Sequence, residues 1–356
     1  HAFTLGSSDH RVPRWFSEGL SVFEERRARP GWGGRVTPDF LAAFKGGALP
    51  PPSRLNDGFT RPAYPQQVAH AYYEASLVCE LIARDHGTQA LVRMLGAYRK
   101  GMSTPEVFRS VLGTNPEQFD SAFDKYMRER FGNRLAVVDP LRLRGDPSDA
   151  SAAARAGDGK FASTMRDGIT ALRSGRDDAA ARLFREAKAM FPEYAAGESA
   201  YWYLSQLALK RGDTTTAIAE LQSIVDSNDT QYEAHLLLAK LLESRRDLAG
   251  AARVLERAMY IAPGAVATHE QLAGMYATLG DWPKAVRERR AVVALAPVDR
   301  AEALYQLALA LHRSGDDAGA RHAVLQALEA APDFGRAQEL LLELHQGAPT
   351  GAGRVP

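Results

Sequence analysis

A chain of 356 residues is long enough for two domains, each burying a proper core. Its 44 Lys and Arg against 43 Asp and Glu leave a net charge of +1, which argues against nucleic acid as a partner. A single cysteine, Cys79, excludes an intrachain disulfide and a cysteine-based zinc site, and no run of about 18 apolar residues reads as a membrane span.

The first element, VPRWFSEGLSVFEE at residues 12–25, predicts a largely buried helix carrying Trp15, Phe16, Leu20, Val22 and Phe23. Glu18 lies in its middle, where an unpaired carboxylate is costly, so it requires a cation, a donor or a metal. A long Gly- and Pro-rich connection follows at residues 33–65, of the kind a compact domain keeps for a functional wall or lid. Helical spacing resumes at 68–87 with Gly87 as the stop, and again in TQALVRMLGAYRKG and PEQFDSAFDKYMRERFG. Residues 1–132 therefore read as one unit. Residues 133–160 read as a linker, with Pro, Gly, Asp and Ser concentrated after Leu143.

From residue 161 the chain repeats itself. Turn positions 175, 212, 246, 280 and 315 recur at close to 34 residues, and each is followed five residues later by Ala180, Ala217, Ala251, Ala285 or Ala320. A small side chain there lets paired helices approach closely. Pro192, Pro263, Pro297 and Pro332 close four of the copies, and Asp229 stands in that place in the other. This frame resembles the tetratricopeptide repeat (TPR) family. The resemblance implies an all-α solenoid of five helix pairs over 161–346, closed by a cap helix at 333–346 and followed by a flexible tail at 347–356. It also implies a concave groove for a peptide or protein partner. The dipeptide His269-Glu270 lacks the second His of a zinc helix and reads as polar positions on a repeat helix.

RWFSEGLSVFEE is similar to the third-ligand helix of the glutamate-zincin (gluzincin) metallopeptidases, W-x-x-E-G-x-x-x-[YF], with Trp15, Glu18, Gly19 and Phe23 in the matching places. Residues 1–132 would then be the C-terminal part of a gluzincin-like peptidase domain. The resemblance implies Zn2+ as cofactor, a peptide or protein substrate, and Glu18 as a metal ligand. Gly19 would seat this helix against the one carrying the H-E-x-x-H motif. The family's spacing from its second His to the glutamate lands on His1, which makes His1 a second ligand and puts the first His and the general-base Glu upstream of it. The expectation is that the parent protein is a zinc peptidase and that the chain as it stands lacks turnover. AYYEASLVCELI is similar to the Y-E-x-[GS] helix of the aminopeptidase branch. On that likeness Tyr73 stabilises the oxyanion, with Tyr72 in reserve. Families that pair such a module with repeats imply a bacterial, exported protein. The alternative is a non-catalytic TPR scaffold or adaptor on a degenerate peptidase-like domain.

Overall fold

The computed structural model describes residues 1–29, 31–142, 155–156 and 159–346. Most of the expected linker from 143 to 158, and the tail at 347–356, lie outside the described residues. The chain divides into two compact units, His1–Asn228 and Asp229–Pro356.

The first unit opens with α1 (Ala2–Ser7) and α2 (Arg14–Ala28), then α3 (Pro38–Lys45), a 3-10 turn at Pro52–Arg54 and α4 (Asp57–Thr60). Next come α5 (Gln67–His86), α6 (Thr88–Arg99), α7 (Thr104–Val107), which continues into a π-helical turn at Phe108–Leu112, and α8 (Pro116–Leu135). Local chemistry sets these bounds. Arg29 turns extended before Pro30, whose ring disfavours a helical predecessor, and this ends α2. At the start of α8, Asn115 accepts from the Gln118 amide, the Gln118 side chain accepts in turn from the Asn115 amide, and Pro116 occupies the first turn. Gly87 takes φ 75° between α5 and α6.

Helices α2 and α5 form the centre of this unit. A Cβ at Gly19 would stand 2.7 Å from both the Cβ and the carbonyl oxygen of Ala75, so only hydrogen fits there. The close approach expected of Gly19 is therefore made to α5, and not to a helix bearing His1. The connection at 33–65 is packed as a wall: Val36, Phe40, Leu41, Leu55 and Phe59 are all in the core. Beyond α8, Leu141–Arg142 pair antiparallel with Arg155–Ala156, and Phe161 donates its amide to the Val137 carbonyl at 3.0 Å.

Two helix pairs complete the unit, α9 (Lys160–Arg173) with α10 (Asp177–Met190) and α11 (Ala200–Lys210) with α12 (Thr214–Ser227). One apolar core runs from Trp15 and Phe16 through Phe131 and Val138 to Phe161, Phe184, Phe191 and Leu207.

The second unit holds α13 (Tyr232–Ser244) with α14 (Leu248–Ile261), α15 (Val266–Leu279) with α16 (Trp282–Ala294), and α17 (Arg300–Arg313) with α18 (Asp317–Ala330), closed by α19 (Gly335–Gln346). Across both units the turn positions share one conformation, with φ of 70° at Gly175, 75° at Gly212, 64° at Arg246, 75° at Gly280 and 87° at Gly315. Ala180, Ala217, Ala251, Ala285 and Ala320 are buried to 1% exposure or less. An aspartate then starts the second helix of four pairs: the side chains of Asp213, Asp247, Asp281 and Asp316 accept from the amides of Thr216, Gly250, Lys284 and Gly319. Among the described residues the fold is all-α apart from the single two-residue strand pair.

Candidate functional site

Arg14 and Glu18 stand one helical turn apart on α2, on the same face. Arg14 Nε donates to Glu18 Oε1 at 3.3 Å, while Glu18 Oε2 lies 3.2 Å from His1 Nε2. The other imidazole nitrogen, Nδ1, is 3.3 Å from Ser17 Oγ. Both oxygens of Glu18 are thus engaged, and the partner its position demands is a guanidinium together with an imidazole. Arg14 also donates through Nη2 to the Tyr72 hydroxyl at 3.2 Å and lies over the Phe59 ring. The structure therefore brings His1 and Glu18 together and joins Tyr72 to them through Arg14.

Tyr73, one residue further along α5, turns about 100° away from Tyr72. Its ring meets Phe40 edge-on at 4.9 Å and lies under the Arg26 guanidinium at 5.2 Å. It lines a cavity of about 340 Å³ whose walls include Arg26, Arg35, Arg130 and Arg134 and do not include Glu18. Burial pushes the Tyr73 phenol above its ordinary range, although Arg26 and Arg130 pull the other way. Ser76 accepts from Arg26 Nη1 at 3.1 Å, and Glu74 is buried, with no hydrogen-bond partner for Oε2 among the described residues. His70 is a packing residue, 2.9 Å from the Tyr64 hydroxyl and edge-on to Phe40.

A catalytic zinc takes three protein ligands. Among the described residues no group of three or more His, Cys, Asp or Glu is placed to hold a metal. His1 and Glu18 supply two donors, and Arg14 places a positive charge on the same carboxylate.

In the second unit, α15, α16 and α17 enclose a cavity of about 650 Å³ lined by Glu270, Arg289, Val298, Glu302 and Gln306. Gln306 donates to Glu302 at 2.8 Å, and Val298 is fully exposed at its rim. His269 of α15 lies 2.6 Å from the buried Glu288 of α16 and 3.0 Å from the Pro263 carbonyl, a packing role for that polar pair.

Sequence reasoning did not find Arg14 or the four arginines of the first cavity. Arg14 carried a signal, since i, i+4 spacing to Glu18 is legible. Arg26, Arg35, Arg130 and Arg134 carried none, because only the fold gathers them.

The family model for the tetratricopeptide repeat matches residues 167–232, 203–266 and 275–335. The chain carries TPR repeats, in the frame that the turn glycines and buried alanines mark. Among solved structures, the MamA protein is 19% identical, with TM-score 0.36, over 55% of this chain and 98% of its own. YrrB, a TPR protein with an unusual peptide-binding site, is 15% identical with TM-score 0.37 over 49% of this chain and 89% of its own. A thermophilic TPR protein of Thermus thermophilus is 24% identical with TM-score 0.28 over 52% of this chain and 99% of its own. No curated protein matches the chain. No helix among the described residues is long and apolar enough to cross a membrane.

Proposed function

We propose that this chain is a binding scaffold whose repeats receive a peptide or protein segment, with residues 1–132 as a helical module that shares its core with the first repeats and 133–160 as the connection to the array at 161–346. The observation that carries the reading is the repeat frame itself, matched by the family model on three stretches. In such arrays the first helices of successive pairs line the groove, and the cavity of about 650 Å³ touches α15 and α17, two helices of that kind. Its exposed Val298 offers an apolar contact and Glu302 with Gln306 a polar one. The test is selection of peptides from a random library on the full chain, followed by affinity measurement on Val298→Asp and Gln306→Ala. Weakened binding by both variants, with unchanged helicity, is the expected result. A chain that selects no saturable peptide ends the scaffold reading.

A second reading keeps His1 and Glu18 as two ligands of a zinc ion in a gluzincin-like peptidase, with Tyr73 or Tyr72 as oxyanion donor. One distance favours it. Two ligands on a tetrahedral zinc with bonds of about 2.0 to 2.1 Å stand about 3.3 Å apart, and the His1 and Glu18 atoms are 3.2 Å apart. The two donors by themselves do not complete a zinc site.

A further inference from the structure

We propose that the first unit contains an oxyanion-binding pocket, formed by Arg26, Arg35, Arg130 and Arg134 around the Tyr73 hydroxyl, that takes the phosphate or carboxylate groups of a small anionic ligand. It shares no lining residue with the cavity at Glu270, Val298 and Glu302 and stands independently of the scaffold reading.

The pocket is a cavity of about 340 Å³, of ligand size. Leaving Arg35 out of the count, the three guanidiniums of Arg26, Arg130 and Arg134 face two carboxylates, Glu193 on the wall and Glu80 behind it. Guanidinium keeps its charge at every relevant pH, so the surplus is positive and permanent. The side chains of Arg26, Arg130 and Arg134 are only 20%, 31% and 25% exposed, which strengthens both their mutual repulsion and their attraction for an anion. A charge surplus of this kind is costly to keep in a fold, and an anion removes the cost.

The cluster is held in place. Glu80 accepts from Arg26 Nη2 at 3.1 Å and from Arg130 Nη1. Burial alone would raise Glu80, yet its bond and charge contact with Arg130 bring it below the ordinary carboxylate range, so it remains an anchor. Glu193 accepts from Arg134 Nε at 2.8 Å, and Arg35 Nη2 donates to the Gly31 carbonyl at 2.7 Å. These bonds leave Nε and Nη2 of Arg130 and Nη1 of Arg134 as donors for a ligand. The Tyr73 hydroxyl makes no hydrogen bond to a described residue and stays protonated, a neutral donor beside the charged ones. Gly34 lets the loop close on the Tyr73 ring, since a Cβ there would stand 3.1 Å from it. Trp32 supplies an indole wall and an optical reporter.

The experiment titrates the full chain with inorganic phosphate and, separately, with a triglutamate peptide, with triglutamine as the neutral control. Tryptophan fluorescence reports binding, is assigned by Trp32→Phe, and is checked by calorimetry. Saturable binding with a dissociation constant on the order of 1 mM or tighter is expected for at least one anion and for no neutral peptide. Arg130→Gln should weaken it by about tenfold or more, and Tyr73→Phe by a smaller factor at unchanged melting temperature. If Arg130→Gln fails to fold, Arg130→Lys and Tyr73→Phe carry the test. Phosphate alone as ligand supports the site as one for tetrahedral oxyanions, and triglutamate alone supports it as one for carboxylates. Absence of saturation by either anion, or undiminished binding in Arg26→Gln/Arg130→Gln, overturns the proposal.

Discussion

His1 Nε2 lies 3.2 Å from Glu18 Oε2, while Arg14 Nε holds the other oxygen of the same carboxylate at 3.3 Å. A metal at this pair would compete with Arg14. Arg14→Gln should therefore raise zinc affinity measured by competition with a chromogenic chelator, and Glu18→Gln should abolish any binding. Equal zinc affinity in wild type and Glu18→Gln would remove the pair from consideration as ligands. The cost in stability is small either way. His1 and Arg14 are 53% and 50% exposed, so losing either contact should shift stability by under about 1 kcal/mol.

Arg246 is the one non-glycine among the five repeat turns and takes φ 64°. A side chain in the left-handed region costs about 1 to 2 kcal/mol. Arg246→Gly relieves that strain and adds backbone freedom to the unfolded chain, for a net gain of about 0.5 to 1 kcal/mol. Urea or thermal unfolding of the variant measures it, and a loss of stability would show that the side chain compensates for its strained backbone.

Ala251 and Ala320 are fully buried where the helices of a pair meet. Enlarging either to Leu should destabilise by about 1 to 3 kcal/mol, because close-packed helices have no room for the added atoms. Ala→Ser at the same sites serves as the near-isosteric control. A neutral Ala251→Leu would mean that the pair separates easily and that the small residue is not required.

Glu74 is 2% exposed. Burial pushes its carboxyl well above the ordinary range, with the Asp120 charge adding to the shift. The native state therefore keeps a proton that the unfolded chain releases near its ordinary value of 4.5. Stability should then fall as pH rises above that value, and continue to fall until the folded group itself ionises. Glu74→Gln removes this slope. The variant should gain on wild type progressively from acid towards neutral pH in chemical denaturation, and parallel pH profiles would sink the assignment.

The repeats were legible because each of their devices is local. A glycine at left-handed φ, an alanine five residues on and a proline past the helix end all lie within one turn-and-helix segment, as at Gly280, Ala285 and Pro297. Even so, the aspartate caps passed unnoticed, although Asp213, Asp247, Asp281 and Asp316 each follow the turn residue directly. The N-terminal site was legible only in part. Glu18 announced its need for a partner through the apolar residues around it, but a partner's identity depends on rotamer and approach. The motif ranks Tyr73 ahead of Tyr72, yet a 100° step along α5 sends Tyr72 to Arg14, beside Glu18, and Tyr73 to Arg26. The arginine cavity draws on four residues spread from Arg26 to Arg134, and no short-range pattern encodes it.

The apolar core that continues from Phe131 and Val138 into Phe161, Phe184 and Phe191 has a practical consequence for where this chain can be cut. A repeat stack ordinarily requires a polar closing helix at each extremity, and α19 stands at one. At the other, Phe161 rests on Phe191 and Tyr194 at 5.6 and 5.8 Å and hangs its amide on Val137, so the N-terminal module itself is the terminator. A shortened version begun at residue 161 would present that aromatic seam to water and should self-associate, whereas one begun between the repeats would need a substitute lid.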